Sequence, residues 1–65
     1  MRIIVNKAKK TKKHGITIFE LLENENYKTW SIVWVNGKHI FIKNYKEFVL
    51  HDNDVVIIND FLVGG

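Results

Sequence analysis

Thr17-Ile18-Phe19-Glu20-Leu21-Leu22 is the stretch that decides how the rest of the chain must fold. Its Thr and the Glu three residues on form a capping box: the hydroxyl accepts from the third helical N–H while the carboxylate reaches back to the Thr backbone. A helix therefore starts at Thr17 or Ile18. Ile18, Leu21 and Leu22 stand three and four apart, so they share one side and need a broad apolar surface to cover, with Phe19 at the flank. Glu23-Asn24-Glu25-Asn26 loses apolar character and helix propensity together, which limits the helix to two or three turns.

Both flanks of the helix spell out strands. Upstream, Arg2-Ile3-Ile4-Val5-Asn6 is β-branched, with Ile3 and Val5 on one face and Ile4 on the other. Asn6-Lys7 reads as a hairpin turn, because Asn tolerates a left-handed backbone. The return strand, about Lys9 to Lys13, is almost wholly polar; it reads as a short edge whose lysines deter pairing with other chains. Downstream, Ile32-Val33-Trp34-Val35 is a central strand closed by Asn36-Gly37, the strongest two-residue hairpin signal in the chain. Lys38-His39-Ile40-Phe41-Ile42 returns from that turn, and Asn44 to Phe48 tucks Tyr45 and Phe48 over one end of the core. Leu50 precedes the polar turn His51-Asp52-Asn53-Asp54, where Asn53 is best able to take a positive φ, and the last strand begins at Val55. The order of elements predicts an α+β domain, a mixed sheet of four to five strands with one helix packed on one face.

Sixty-five residues make a single domain, 1-65, near the lower limit for a core without disulfides or metal. Cysteine is absent, which excludes a disulfide framework, a thiolate metal site and a catalytic thiol. His14, His39 and His51 are scattered on turns or an edge, so no metal site is expected. No apolar run approaches the roughly 20 residues that span a bilayer, and Arg2 is followed at once by strand residues instead of a signal-peptide core. The sequence reads as that of a soluble cytoplasmic protein with no membrane association. Its net charge of +3 comes largely from Lys7, Lys9, Lys10, Lys12 and Lys13. Such a cluster offers a second reading, a nucleic-acid-binding module with those lysines on phosphates and Tyr27, Trp30 or Trp34 stacked on bases. That reading ranks behind, because the cluster occupies one arm and the rest of the chain is nearly balanced in charge.

The final strand runs through Phe61-Leu62-Val63 into Gly64-Gly65, read as a flexible tail. Glycine suits a segment that another surface must approach closely, so this tail can enter a narrow cleft and present the α-carboxylate of Gly65. A carboxylate does not react with nucleophiles unaided, and an adenylating enzyme would have to activate it. In pattern and ending together the chain resembles the ubiquitin-like β-grasp sulfur carriers of the ThiS/MoaD family, most closely the ThiS-like carriers of thiazole synthesis. The resemblance spans nearly the whole chain. It rests on Met1-Arg2-Ile3-Ile4-Val5-Asn6, Thr17 to Leu22, Val33-Trp34-Val35-Asn36-Gly37, Leu50 to Ile58, and Gly64-Gly65. Family members often carry Gly where Lys7 and Asn53 stand here, and they are less basic.

The resemblance implies a protein substrate, not an enzyme, with no catalytic residue and no bound cofactor. Gly65 would be adenylated by a ThiF-like enzyme that uses ATP, then converted to a thiocarboxylate with sulfur from a persulfide donor. A ThiG-like thiazole synthase would accept that sulfur for the thiazole of thiamine; a MoaD-like role in molybdopterin synthesis is the alternative. The free carrier is expected to be a monomer. Strand alternation separates Met1, Ile3, Val5, Val33, Val35, Val56 and Ile58, facing the helix, from Ile4, Ile32, Trp34 and Ile57 on the uncovered face. The latter four are expected to form a partner-binding patch extended by Phe61, Leu62 and Val63.

Overall fold

A computed structural model describes residues 1–59. Five strands and one helix follow in the order β1 (Arg2–Val5), β2 (Ala8–Thr11), α1 (Ile18–Asn24), β3 (Ile32–Val35), β4 (Lys38–Ile40) and β5 (Val55–Asn59), with a single 3-10 turn at Ile42–Asn44 between the last two. The sheet is mixed and ordered β2-β1-β5-β3-β4. β5 runs parallel to β1 and antiparallel to β3, so the last strand lies in the middle and joins the two hairpins. The α+β architecture expected from the sequence is the one present.

Local chemistry accounts for most of the boundaries. The capping box at Thr17 is complete: its hydroxyl accepts from Glu20 N–H at 3.2 Å and the Glu20 carboxylate accepts from Thr17 N–H at 3.0 Å. α1 ends where Asn26 turns left-handed at φ 62°, with Tyr27 N–H donating to the Leu22 carbonyl at 2.9 Å and Asn26 N–H to the Glu23 carbonyl at 3.2 Å. This is a Schellman ending with Asn in the place usually held by Gly. Asn6 and Lys7 take φ 47° and 73°, and Asn36 and Gly37 take 52° and 82°, so both hairpins close through turns with two left-handed residues. Asn53 takes the positive φ of 70° expected of it.

Three boundaries differ from the sequence reading. β2 begins and ends earlier than expected, at Ala8 and Thr11. More consequentially, β4 stops at Ile40, and Phe41 and Ile42 lie 62% and 56% exposed instead of continuing the ladder. The chain bends there into the 3-10 turn that carries Tyr45 under the sheet. Tyr45 is fully buried and its hydroxyl donates to the Ser31 carbonyl at 2.7 Å, while Phe48 packs at the edge of the core.

One apolar core lies between α1 and one face of the sheet. Ile18, Leu21 and Leu22 from the helix meet Ile3, Val33 and Val56 from the sheet, all of them fully buried. No helix among the described residues is long and apolar enough to cross a membrane.

Candidate docking face and the base of the tail

Among the described residues, the other face of the sheet carries no helix. Strand pairing sets Trp34 opposite Ile57 and opposite His39, and Ile4 opposite Val55, so these side chains form a row across four strands. Ile4, Ile32 and Trp34 are partly buried, whereas Val55 and Ile57 are 41% and 49% exposed. The four described patch residues expected from alternation thus share one surface. Phe61, Leu62, Val63, Gly64 and Gly65, also assigned to the site from sequence, lie outside the described residues.

Sequence reasoning missed three members of this surface. The His39 ring sits 5.8 Å from that of Trp34 and 5.4 Å from that of Phe41, the latter edge to face, and Val55 adds a methyl-bearing side chain beside Ile57. The signal was present: the two-residue turn Asn36-Gly37 fixes His39 opposite Trp34, and alternation places Val55 with Ile57.

Charge divides between the layers. None of the five strands contains Asp or Glu. Arg2 and Lys9 stand at outward positions beside Ile4, whose strand partner is Lys9. Glu20, Glu23 and Glu25 belong to α1 or its cap, and two of them neutralise much of the lysine cluster. Lys12 and Lys10 both pair with Glu25, the second at 3.3 Å, and Lys13 pairs with Glu20 at 2.8 Å. The Lys12 ammonium holds the Glu25 carboxyl below the usual carboxylate range, helped by Lys10 and opposed by partial burial. Lys13, and then the Thr17 N–H, do the same for Glu20. Three of the five clustered lysines are therefore engaged within the fold. Among the described residues no group of His, Asp and Glu is placed to hold a metal ion.

The base of the tail is β5, which is hydrogen-bonded on both sides. β3 pairs with it as far as Ile32 opposite Asn59. On the other side the Asn6 side chain takes over from β1, with Oδ1 accepting from Ile58 N–H at 2.7 Å and Nδ2 donating to the Ile58 carbonyl at 3.1 Å. At the opposite end of β5, Asn36 Oδ1 accepts from Val55 N–H at 2.9 Å, and Asn36 N–H donates to the Val55 carbonyl at 2.7 Å.

The overall fold recurs in solved structures. A crystal structure of the thiamine biosynthesis protein ThiS from Geobacter metallireducens matches over 100% of both chains with a TM-score of 0.84 at 23% identity. The fold is the β-grasp. A solution NMR structure of a thiamine biosynthesis protein from the same organism matches the whole β-grasp chain and 88% of its own, with a TM-score of 0.80 at 23% identity. No protein-family profile and no curated protein matches the sequence.

Proposed function

We propose that this β-grasp protein is a ThiS-like sulfur carrier, a protein substrate whose Gly65 carboxylate is activated and loaded by other enzymes. The observation that carries the proposal is the end-to-end likeness to a thiamine biosynthesis protein, at a TM-score of 0.84 and with neither chain left over. Gly64-Gly65 supports it, since two residues without Cβ suit entry into an enclosed adenylation site.

In this reading a Gly65 carboxylate oxygen attacks the α-phosphorus of ATP and displaces pyrophosphate, giving an acyl-adenylate. The outer sulfur of a persulfide then attacks the carbonyl and expels AMP. A thiol cleaves the resulting acyl disulfide, leaving a thiocarboxylate on Gly65 and a new disulfide on the donor. The adenylate survives only where water is excluded, so a ThiF-like enzyme supplies that site and the β-grasp domain supplies recognition. The outer face suits such docking: an apolar centre with an aromatic anchor, Trp34, and cations but no carboxylate at its strand positions. Its partner should present an apolar surface rimmed by acids on the side that meets Arg2 and Lys9. The acceptor is a ThiG-like thiazole synthase, the working compartment the cytoplasm, and the free carrier a monomer.

ATP–pyrophosphate exchange with a ThiF-like enzyme tests the activation step. Exchange should depend on the carrier and vanish when one Ala is appended after Gly65. Undiminished exchange with the extended chain would contradict the assignment of Gly65.

A further inference from the structure

Asn6 does more than its place in a turn requires. Between β1 and β5 the parallel ladder runs from Ile4 N–H to the Asp54 carbonyl at 2.9 Å and from Asn6 N–H to the Val56 carbonyl at 3.0 Å. The even spacing of a parallel ladder calls next for a bond from Ile58 N–H to the Asn6 carbonyl. The backbone has already left the sheet there, because Asn6 and Lys7 turn left-handed to enter β2. The Asn6 side chain replaces the missing rung with its 2.7 Å and 3.1 Å bonds to the two backbone groups of Ile58. Its Nδ2 also donates to the Tyr27 hydroxyl at 2.8 Å, so the oxygen and the amino group of the amide are both committed and its orientation is fixed. Tyr27 is anchored in turn by its N–H on the Leu22 carbonyl.

We propose that Asn6, oriented by Tyr27, is a positioning residue for the group carried beyond β5, an inference that rests on the reading that Gly65 is adenylated. Only Asn59 separates Ile58 from residues 60–65. β3 holds one edge of that last turn of strand. With the amide of Asn6 on the other edge, the strand cannot pivot about the β3 ladder, and β5 ends at a fixed point relative to the docking face. Binding through the face and delivery of the carboxylate are thereby separate functions: the first belongs to Trp34 and Ile57, the second to Asn6.

The test compares the full-length chain with its Asn6→Ala and Tyr27→Phe variants, and with Glu25→Gln as a control that loosens the lysine–helix edge without touching the Asn6–Ile58 rung. Amide hydrogen exchange is followed at Ile58, and carrier-dependent ATP–pyrophosphate exchange is followed with a ThiF-like enzyme. Loss of the rung in Asn6→Ala should speed Ile58 exchange about tenfold and lower kcat about fivefold, with KM for the carrier changed by less than about twofold. Tyr27→Phe keeps the Ile58 bonds and should lower kcat less, again without raising KM. Glu25→Gln should leave kcat unchanged at a similar loss of Tm. The proposal is overturned if Asn6→Ala retains full kcat, if its loss appears in KM, or if Glu25→Gln reproduces the loss. Absence of pyrophosphate exchange with the unaltered chain would overturn the carrier reading itself, and Ile58 exchange would still report whether the rung exists.

Discussion

The covered and the open face of the sheet come from the same strands, alternating residue by residue, yet they carry different loads. Ile3 and Ile4 are adjacent and chemically identical; the first is completely buried under α1 and the second is partly exposed beside Lys9. Val56 and Ile57 repeat the contrast, at 0% and 49% exposure. In a 65-residue domain the covered face must supply nearly all the burial that opposes chain entropy. The open face is left with apolar side chains whose exposure folding does not need, and in the proposed carrier this is the surface offered to a partner. Substitutions on the two faces should therefore fail in different assays.

The largest effect is expected on the covered face. Leu21→Ala empties a fully buried site at the centre of the helix stripe and should cost about 2–5 kcal/mol, enough to unfold much of a domain this small. Urea denaturation measures it; a loss below about 1 kcal/mol would mean that the two layers are not packed as described. On the open face, Trp34→Ala should cost stability far less but weaken binding to the activating enzyme by about 2 kcal/mol, roughly thirtyfold in Kd by calorimetry. If stability falls and affinity does not, the two faces are not divided between folding and recognition.

Much of this division was legible in the sequence, for physical reasons that are local. A capping box, two-residue turns headed by Asn and strict alternation each act over a few residues, so Thr17, Asn36 and the inward set from Ile3 to Ile58 could be placed without coordinates. What was illegible depends on chain segments that meet from afar. The sequence does not state that β5 inserts between β1 and β3, and so it conceals the rung that Asn6 builds to Ile58, 52 residues away. Nor does it reveal that Lys12 meets Glu25, which turns an apparent cationic arm into a set of internal ion pairs. Phe41 and Ile42 misled because an apolar run of aromatic and β-branched residues resembles strand; the backbone bends away after Ile40 into the turn that buries Tyr45.

Smaller effects sharpen the comparison at the periphery of the covered layer. Thr17→Ala removes the helix cap and should cost about 1 kcal/mol, read as a lower Tm with unchanged affinity for the activating enzyme. Glu25 is held below its ordinary range by Lys12, so its stabilising share is complete above the unfolded carboxylate pKa and fades as pH falls through the lower folded value. Acid unfolding of Lys12→Met should accordingly lose part of the dependence on pH seen in the unaltered chain below the ordinary carboxylate range. The smallest change expected is a gain: Lys7 occupies φ 73°, and Lys7→Gly should relieve about 0.5–1 kcal/mol of backbone strain, raising Tm by a few degrees.

The most direct measurement of the carrier assignment is the intact mass of the protein after incubation with a ThiF-like enzyme, ATP and a persulfide donor. A thiocarboxylate predicts a gain equal to the replacement of one oxygen by sulfur, localised to Gly65 by fragmentation. A mass that stays unchanged while the enzyme turns over its own carrier, or that rises only through isopeptide adducts to lysines, would contradict it.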